Sequence, residues 1–308
     1  MSRTAKDYSL IFLKGIGMGA ADVVPGVSGG TIAFISGIYE ELLGSINSVN
    51  LKNAKLIITK GEGIKSFWKA INGNFLASLM LGIGISIASL AKAITWMLEH
   101  HPVMIWSFFF GLVLASIFYV GKEITKWNLP VIVMFILGTA IAYYITVLGK
   151  SDASTSLPYL FLCGSIAICA MILPGISGSF ILVLLGAYSV VLGAIHTMDL
   201  KIIAVFATGC VVGLLLFSRL LSYLLKNFHN VTVALLAGFM LGSLNKVWPW
   251  KETISFYENS KGEKIPFQEA NILPTDNSWQ IAILAFIVGF ILIFAIEWIA
   301  GRKKTSEA

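Results

Sequence analysis

The chain has 308 residues, 57% of them hydrophobic and 12% charged, with a formal net charge of +6 and a mean hydropathy of +0.84. Soluble domains carry about 25% charged residues, so this chain has too little polar surface to cover a water-soluble globule of its size. Its basic residues are spread over short loops and the two ends, with no dense patch, which excludes nucleic acid as a partner.

In chain order, residues 1–8 show no small-residue cleavage site, so the first apolar run is expected to belong to the fold. That run, block 10–46, is interrupted by Pro25-Gly26-Val27-Ser28-Gly29. Proline removes a backbone donor and glycine frees the backbone, so a helix stops there and the block reads as two short helices. A basic loop follows, with Lys52, Lys55, Lys60, Lys65 and Lys69 against Glu62. Three runs long enough to cross about 30 Å of hydrocarbon come next, at 75–98, 103–120 and 130–148. A second broken block, 158–195, carries Pro174-Gly175-Ile176-Ser177-Gly178. Three more spans follow at 202–225, 231–247 and 279–299, the last two separated by a mixed-charge loop. The expected fold is an all-α polytopic membrane protein.

The positive-inside rule orients it. The basic loop, Lys122 and Lys126, Lys226, and both termini (Arg3 and Lys6; Arg302, Lys303 and Lys304) are expected on the cytoplasmic face. The loops at 99–102, 150–157 and 248–278 are expected outside. This assignment requires an even number of crossings per broken block. A re-entrant hairpin and a pair of full spans both satisfy it.

The two blocks align at an offset of 149 residues. Phe12, Leu13 and Gly15 match Phe161, Leu162 and Gly164, and the two interruptions coincide. Gly37, Tyr39, Leu43, Gly44 and Ile46 match Gly186, Tyr188, Leu192, Gly193 and Ile195. At an offset of 127, Gly111, Leu114 and Ser116 match Gly238, Leu241 and Ser243. The chain therefore divides into repeats 1–150 and 151–308, each a broken helix pair plus three spans. Three is odd, so the second repeat is expected to enter the membrane with inverted topology, the arrangement of secondary transporters with a midplane site.

Candidate site residues follow from that arrangement. A helix that starts at a break presents N–H groups and a positive dipole end, which favours an anion. The first break offers Pro25, Gly26, Ser28, Gly29, Gly30 and Thr31. The second offers Pro174, Gly175, Ser177, Gly178 and Ser179. The bland alternative is a packing kink lined by small residues. Lys92 and Arg219 align at the 127 offset within apolar spans, as do the aromatics Trp96 and Tyr223. The two cations are read as phosphate ligands, against snorkelling to the nearer interface. Lys14 is a further cation in an apolar run. Asp22 and Glu40 are candidates for proton or sodium coupling, with local capping or solvation as the alternatives.

No catalytic set is expected, because His100, His101, His196 and His229 fall in loops or span ends. No nucleotide motif, cofactor or metal site is expected either. Cys163, Cys169 and Cys210 lack metal-ligand spacing and read as small buried residues.

The stretch from Gly15 to Thr31, followed by Gly37-Ile38-Tyr39-Glu40, closely resembles the DUF368 membrane family, and the second copy at 173–178 fits it as well. The resemblance covers essentially the whole chain. It implies a bacterial polyprenyl-phosphate translocase of the PopT type in the cytoplasmic membrane, returning undecaprenyl phosphate to the inner leaflet for reuse in envelope synthesis. The implied partners are that lipid and the bilayer, with a homo-oligomer left open. Undecaprenyl-pyrophosphate phosphatases also have inverted repeats and a Pro-Gly-x-Ser-Arg-Ser motif. Here Gly29 and Gly178 stand where that motif has arginine, and only Asp22 is acidic before the first break. A small-anion transporter is the other alternative.

Overall fold

Helix α1 (Ala5–Val23) begins where the Thr4 N–H donates to the Asp7 carboxylate at 2.9 Å, a first-turn acid that suits a helix N-terminus. It belongs to a computed structural model describing residues 3–24, 27–59, 63–149, 154–258, 264–274 and 278–305. After the first break come α2 (Gly29–Ile35) and α3 (Tyr39–Asn47), so the expected single second helix of the block is two helices. The cause is Gly37, whose φ of +69° ends α2. Ile38 N–H donates to the Ala33 carbonyl and Gly37 N–H to the Phe34 carbonyl, both at 3.0 Å, which is the Schellman arrangement.

The second block repeats this: α9 (Leu157–Ile172), the break, α10 (Gly178–Leu184), Gly186 at φ +67°, and α11 (Tyr188–His196). The helices α10 and α11 bend by 106° at that glycine.

The basic loop holds short helices α4 (Leu51–Ala54) and α5 (Gly63–Ala70). Three long helices follow, α6 (Gly73–His100), α7 (Pro102–Gly121) and α8 (Leu129–Val147). Beyond the second block lie α12 (Leu200–Asn227), α13 (His229–Ser243) and α14 (Trp279–Thr305). Of the expected spans, α6, α7, α8 and α12 are long and apolar enough to cross a bilayer. Helix α13 stops short of the expected 231–247, because the chain turns at Leu244–Val247. The loop expected at 248–278 contains a further element, an antiparallel hairpin of β1 (Lys251–Glu258) and β2 (Lys264–Asn271), with Lys251 opposite Asn271.

Among the described residues, four helix pairs cross on reciprocal glycines. They are α1 with α6 at Gly15 and Gly82, α9 with α12 at Gly164 and Gly209, α7 with α14 at Gly111 and Gly289, and α8 with α13 at Gly138 and Gly238. In every case a Cβ on one glycine would collide with the carbonyl three residues before the other, such as Leu79 for Gly15 and Phe12 for Gly82. Such close backbone approach is how helices associate where lipid removes the hydrophobic drive between them. The contacts advance together along both partners, Gly15 with Leu79 and Gly19 with Ile83, Gly238 with Phe135 and Gly242 with Thr139. Hence α1 runs with α6, and α8 with α13.

The core sits on α7 and α13, with Val233, Ala234 and Leu236 fully buried. Helices α6, α8 and α12 are equally apolar but expose most of their surface, including Leu81, Ile136 and Leu216. Exposed apolar helix faces of this extent need lipid as solvent. The chain is a multi-pass membrane protein.

Candidate functional site: the seam between the broken blocks

The two breaks meet. The Ser28 hydroxyl, fully buried, donates to the Met171 carbonyl at 2.9 Å and accepts from Gly30 N–H at 3.0 Å. The Tyr39 hydroxyl donates to the Ile172 carbonyl at 3.1 Å, and Gly175 N–H donates to the Thr31 hydroxyl at 3.0 Å. Met171 and Ile172 close α9, so the Ser28 and Tyr39 hydroxyls satisfy carbonyls that a helix C-terminus leaves without partners. Gly30 has no room for a side chain, because a Cβ would strike the Ile172 carbonyl. Gly175, at φ +87°, packs on Met240 and Ser243 at the end of α13.

The seam is asymmetric. Asp22 accepts from Gly29 N–H at 2.7 Å and so caps the N-terminus of α2 with a carboxylate. Its counterpart in the repeat is Met171, which offers only a backbone carbonyl. In the second break Ser177 is buried and its hydroxyl lies 2.9 Å from that of Ser179, which is exposed. Pro174 and Gly178 are buried beside it. Pro25 and Gly26 lie outside the described residues.

The predicted cations do not gather at this seam. The Lys14 ammonium donates to the Ser36 carbonyl at 2.6 Å, at the C-terminal end of α2. In the second block the equivalent carbonyl, of Leu185, accepts from the Tyr159 hydroxyl. Lys92 and Arg219 are exposed on α6 and α12. Ser218, next to Arg219, donates to Asn47 at the end of α3 at 2.8 Å. Glu40 is exposed, while Glu41 receives both guanidinium nitrogens of Arg3 at 2.6 Å and Asn72 at 2.7 Å. Cys163 is buried, and Cys169 and Cys210 are half-buried.

A search of solved structures finds no match. Residues 18–265 match the family described as undecaprenyl phosphate translocase-like. The chain belongs to that family. It is 47% identical to a polyprenyl-phosphate transporter of Vibrio cholerae, over 98% of this chain and all of the relative. It is 31% identical to one of Staphylococcus aureus, over 95% and 97% of the two chains.

In this translocase-like chain the sequence reading missed a second polar constellation. Under the hairpin, Lys246 donates to Glu269 at 2.9 Å, and Lys251 lies 3.6 Å from the same oxygen. Lys251 also donates to the Lys246 carbonyl at 2.6 Å and sits 3.8 Å from the centre of the Trp106 ring. Burial pushes the Lys251 ammonium down to about 8, more than the nearby Glu269 charge restores. Burial pushes the Glu269 carboxyl up, but the two lysine charges and their hydrogen bonds together outweigh it and hold it below its ordinary value. These three residues come from separate loops and strands, so no local pattern announces them. Alternation of Ile254 and Phe256 was the available sign of a strand at Lys251.

Proposed function

We propose that this protein translocates a polyprenyl phosphate, undecaprenyl phosphate by family, across the cytoplasmic membrane for reuse in envelope synthesis, and that it is a transporter rather than an enzyme. The observation that carries this reading is the seam between two buried breaks, within a chain related end to end to polyprenyl-phosphate transporters. The donors that hold the seam closed, Ser28, Tyr39 and Gly175, are of the kind a phosphate takes. When the blocks part, these donors exchange carbonyl and hydroxyl acceptors for headgroup oxygens. Ser177 and Ser179 add hydroxyls from the second break, and Lys92 and Arg219, away from the closed seam, meet the phosphate charge only outside it.

The isoprenoid tail stays in lipid throughout. Moving it through water would cost about 0.8 kcal/mol per CH₂. Rocking of one repeat against the other alternates access. Asp22 takes a proton or sodium ion when its cap on Gly29 opens, with Glu40 at the cytoplasmic rim of that path.

Helix directions support inverted repeats. Helix α7 follows α6 after His101 and α8 follows α7 after residues 122–128, so single crossings by each make α6 and α8 run the same way. Helix α13 runs with α8, so α12, which precedes it by a tight turn, opposes α6, its equivalent at the 127 offset. The Arg3–Glu41 pair brings the start of α1 beside the start of α3, as a re-entrant hairpin does.

The test is reconstitution in vesicles with undecaprenyl phosphate and a leaflet-specific assay. Wild type is expected to equilibrate the lipid, and Ser28→Ala/Ser177→Ala to slow it by about tenfold or more. Release of inorganic phosphate from undecaprenyl pyrophosphate would replace this reading with the phosphatase one.

A further inference from the structure

We infer that the cavity under the hairpin is a docking site for a phosphate monoester, where the headgroup is held before it reaches the seam. This rests on the transport reading above and assigns it a second place on the molecule. The cavity measures about 370 Å³ and is walled by Lys246, Lys251, Glu269, Asn245, Tyr143 and Phe180.

Charge is the first argument. Two ammonium groups face one carboxylate, and the three side chains are 7 to 19% exposed. A surplus positive charge at that burial calls for an anion. Aromatic rings cover both ammonium groups, Trp106 over Lys251 at 3.8 Å and Phe180 under Lys246 at 5.1 Å, which keeps water from screening them.

Position is the second argument. Phe180 belongs to α10, the helix that starts at the second break. The floor of the cavity adjoins the α13 end on which Gly175 of that break packs. Tyr143 and Val147, one turn apart on α8, both line the cavity and are about half exposed on the apolar outer surface of that helix. A headgroup in the cavity therefore leaves its tail along α8, in lipid. The resident partner, Glu269, yields one or both lysines to the incoming anion.

Phosphate chemistry is shared by a lipid headgroup and by free phosphate, so the test uses farnesyl monophosphate, inorganic phosphate and farnesol, titrated against the full chain in detergent by thermophoresis. Farnesyl monophosphate is expected to bind, with Lys246→Gln and Lys251→Gln each weakening it by about tenfold. Lys246→Arg, which keeps the charge, is expected to retain binding, and Lys69→Gln, on the exposed face of α5, to match wild type. Glu269→Gln is expected to tighten binding about threefold by removing the competing carboxylate. A brace that merely holds the hairpin predicts the opposite sign, with Glu269→Gln as damaging as the lysine variants, and that result overturns the proposal. So does farnesyl monophosphate affinity unchanged by the lysine variants. Inorganic phosphate competing at equal concentration overturns the lipid assignment in favour of free phosphate. Leaflet exchange is scored separately: its absence in wild type removes the transport reading, whereas normal exchange with lysine-independent binding removes this cavity alone.

Discussion

Ser28 both receives the Gly30 N–H and gives its own proton to Met171 across the seam. Ser28→Ala removes both bonds and leaves the Met171 carbonyl without that donor, at an expected cost of about 1 to 3 kcal/mol. Thermal unfolding in detergent measures it, and Tyr39→Phe is expected to fall in the same range for the same reason. Lys251 gives a pH signature. Its folded value of about 8 lies below the ordinary 10.5. Between those values the unfolded chain holds a proton that the folded chain has released, so stability rises with pH across that window. Melting temperature is expected to climb from pH 8 to 10, and Lys251→Met to flatten the climb. Glu269 acts at the other end: its lowered value means that its contribution is present above the ordinary carboxylate range and is lost as pH falls through the folded value. The seam serines and glycines could be picked out from the paired Pro-Gly-x-Ser-Gly runs. Tyr39 was visible as a repeat match and within the family-like stretch but not as a seam residue, because the reach of its hydroxyl to Ile172 depends on how the two blocks approach.

Elements were legible to the extent that their ends carry local signals. Prolines at 102, 130 and 158 open α7, α8 and α9 close to where they were expected. Gly37 and Gly186 were seen as matched residues, yet their effect, splitting each block a second time, follows from a positive φ that composition does not announce. Two kinds of glycine then predict different costs. A Cβ on Gly37 meets nothing within 4 Å, so Gly37→Ala is expected to cost only the left-handed strain, about 1 kcal/mol. Gly111→Leu drives a side chain into the Phe286 carbonyl and is expected to cost more than about 2 kcal/mol, read as a larger drop in melting temperature. The hairpin was missed because its polar residues outweigh the two-residue alternation of Ile254 and Phe256.

At the scale of the molecule, the 149 and 127 offsets equate Gly15 with Gly164 and Gly82 with Gly209, and these make matching crossings of α1 with α6 and α9 with α12, while the other two crossings join one half of the chain to the other. The cluster of Lys246, Lys251 and Glu269 could not be read, since only the folded hairpin brings residues 23 apart into one cavity. The proposed inverted repeats predict that the Lys126 segment and the β hairpin lie on opposite faces of the membrane. Single cysteines at Lys126 and at Thr253, in a chain whose native cysteines are replaced by alanine, are expected to label from opposite sides with an impermeant thiol reagent in intact cells and inverted vesicles.

The reciprocal glycine crossings have a further consequence for synthesis. Helix α7 finds its backbone partner in α14, and α8 finds its own in α13, so each repeat holds a groove that only the other can fill. During translation α7 and α8 must wait in the bilayer, with small-residue faces uncovered, until nearly the whole chain has emerged. Fragments 1–150 and 151–308 made separately would then be aggregation-prone or degraded alone, yet rescue one another when expressed together.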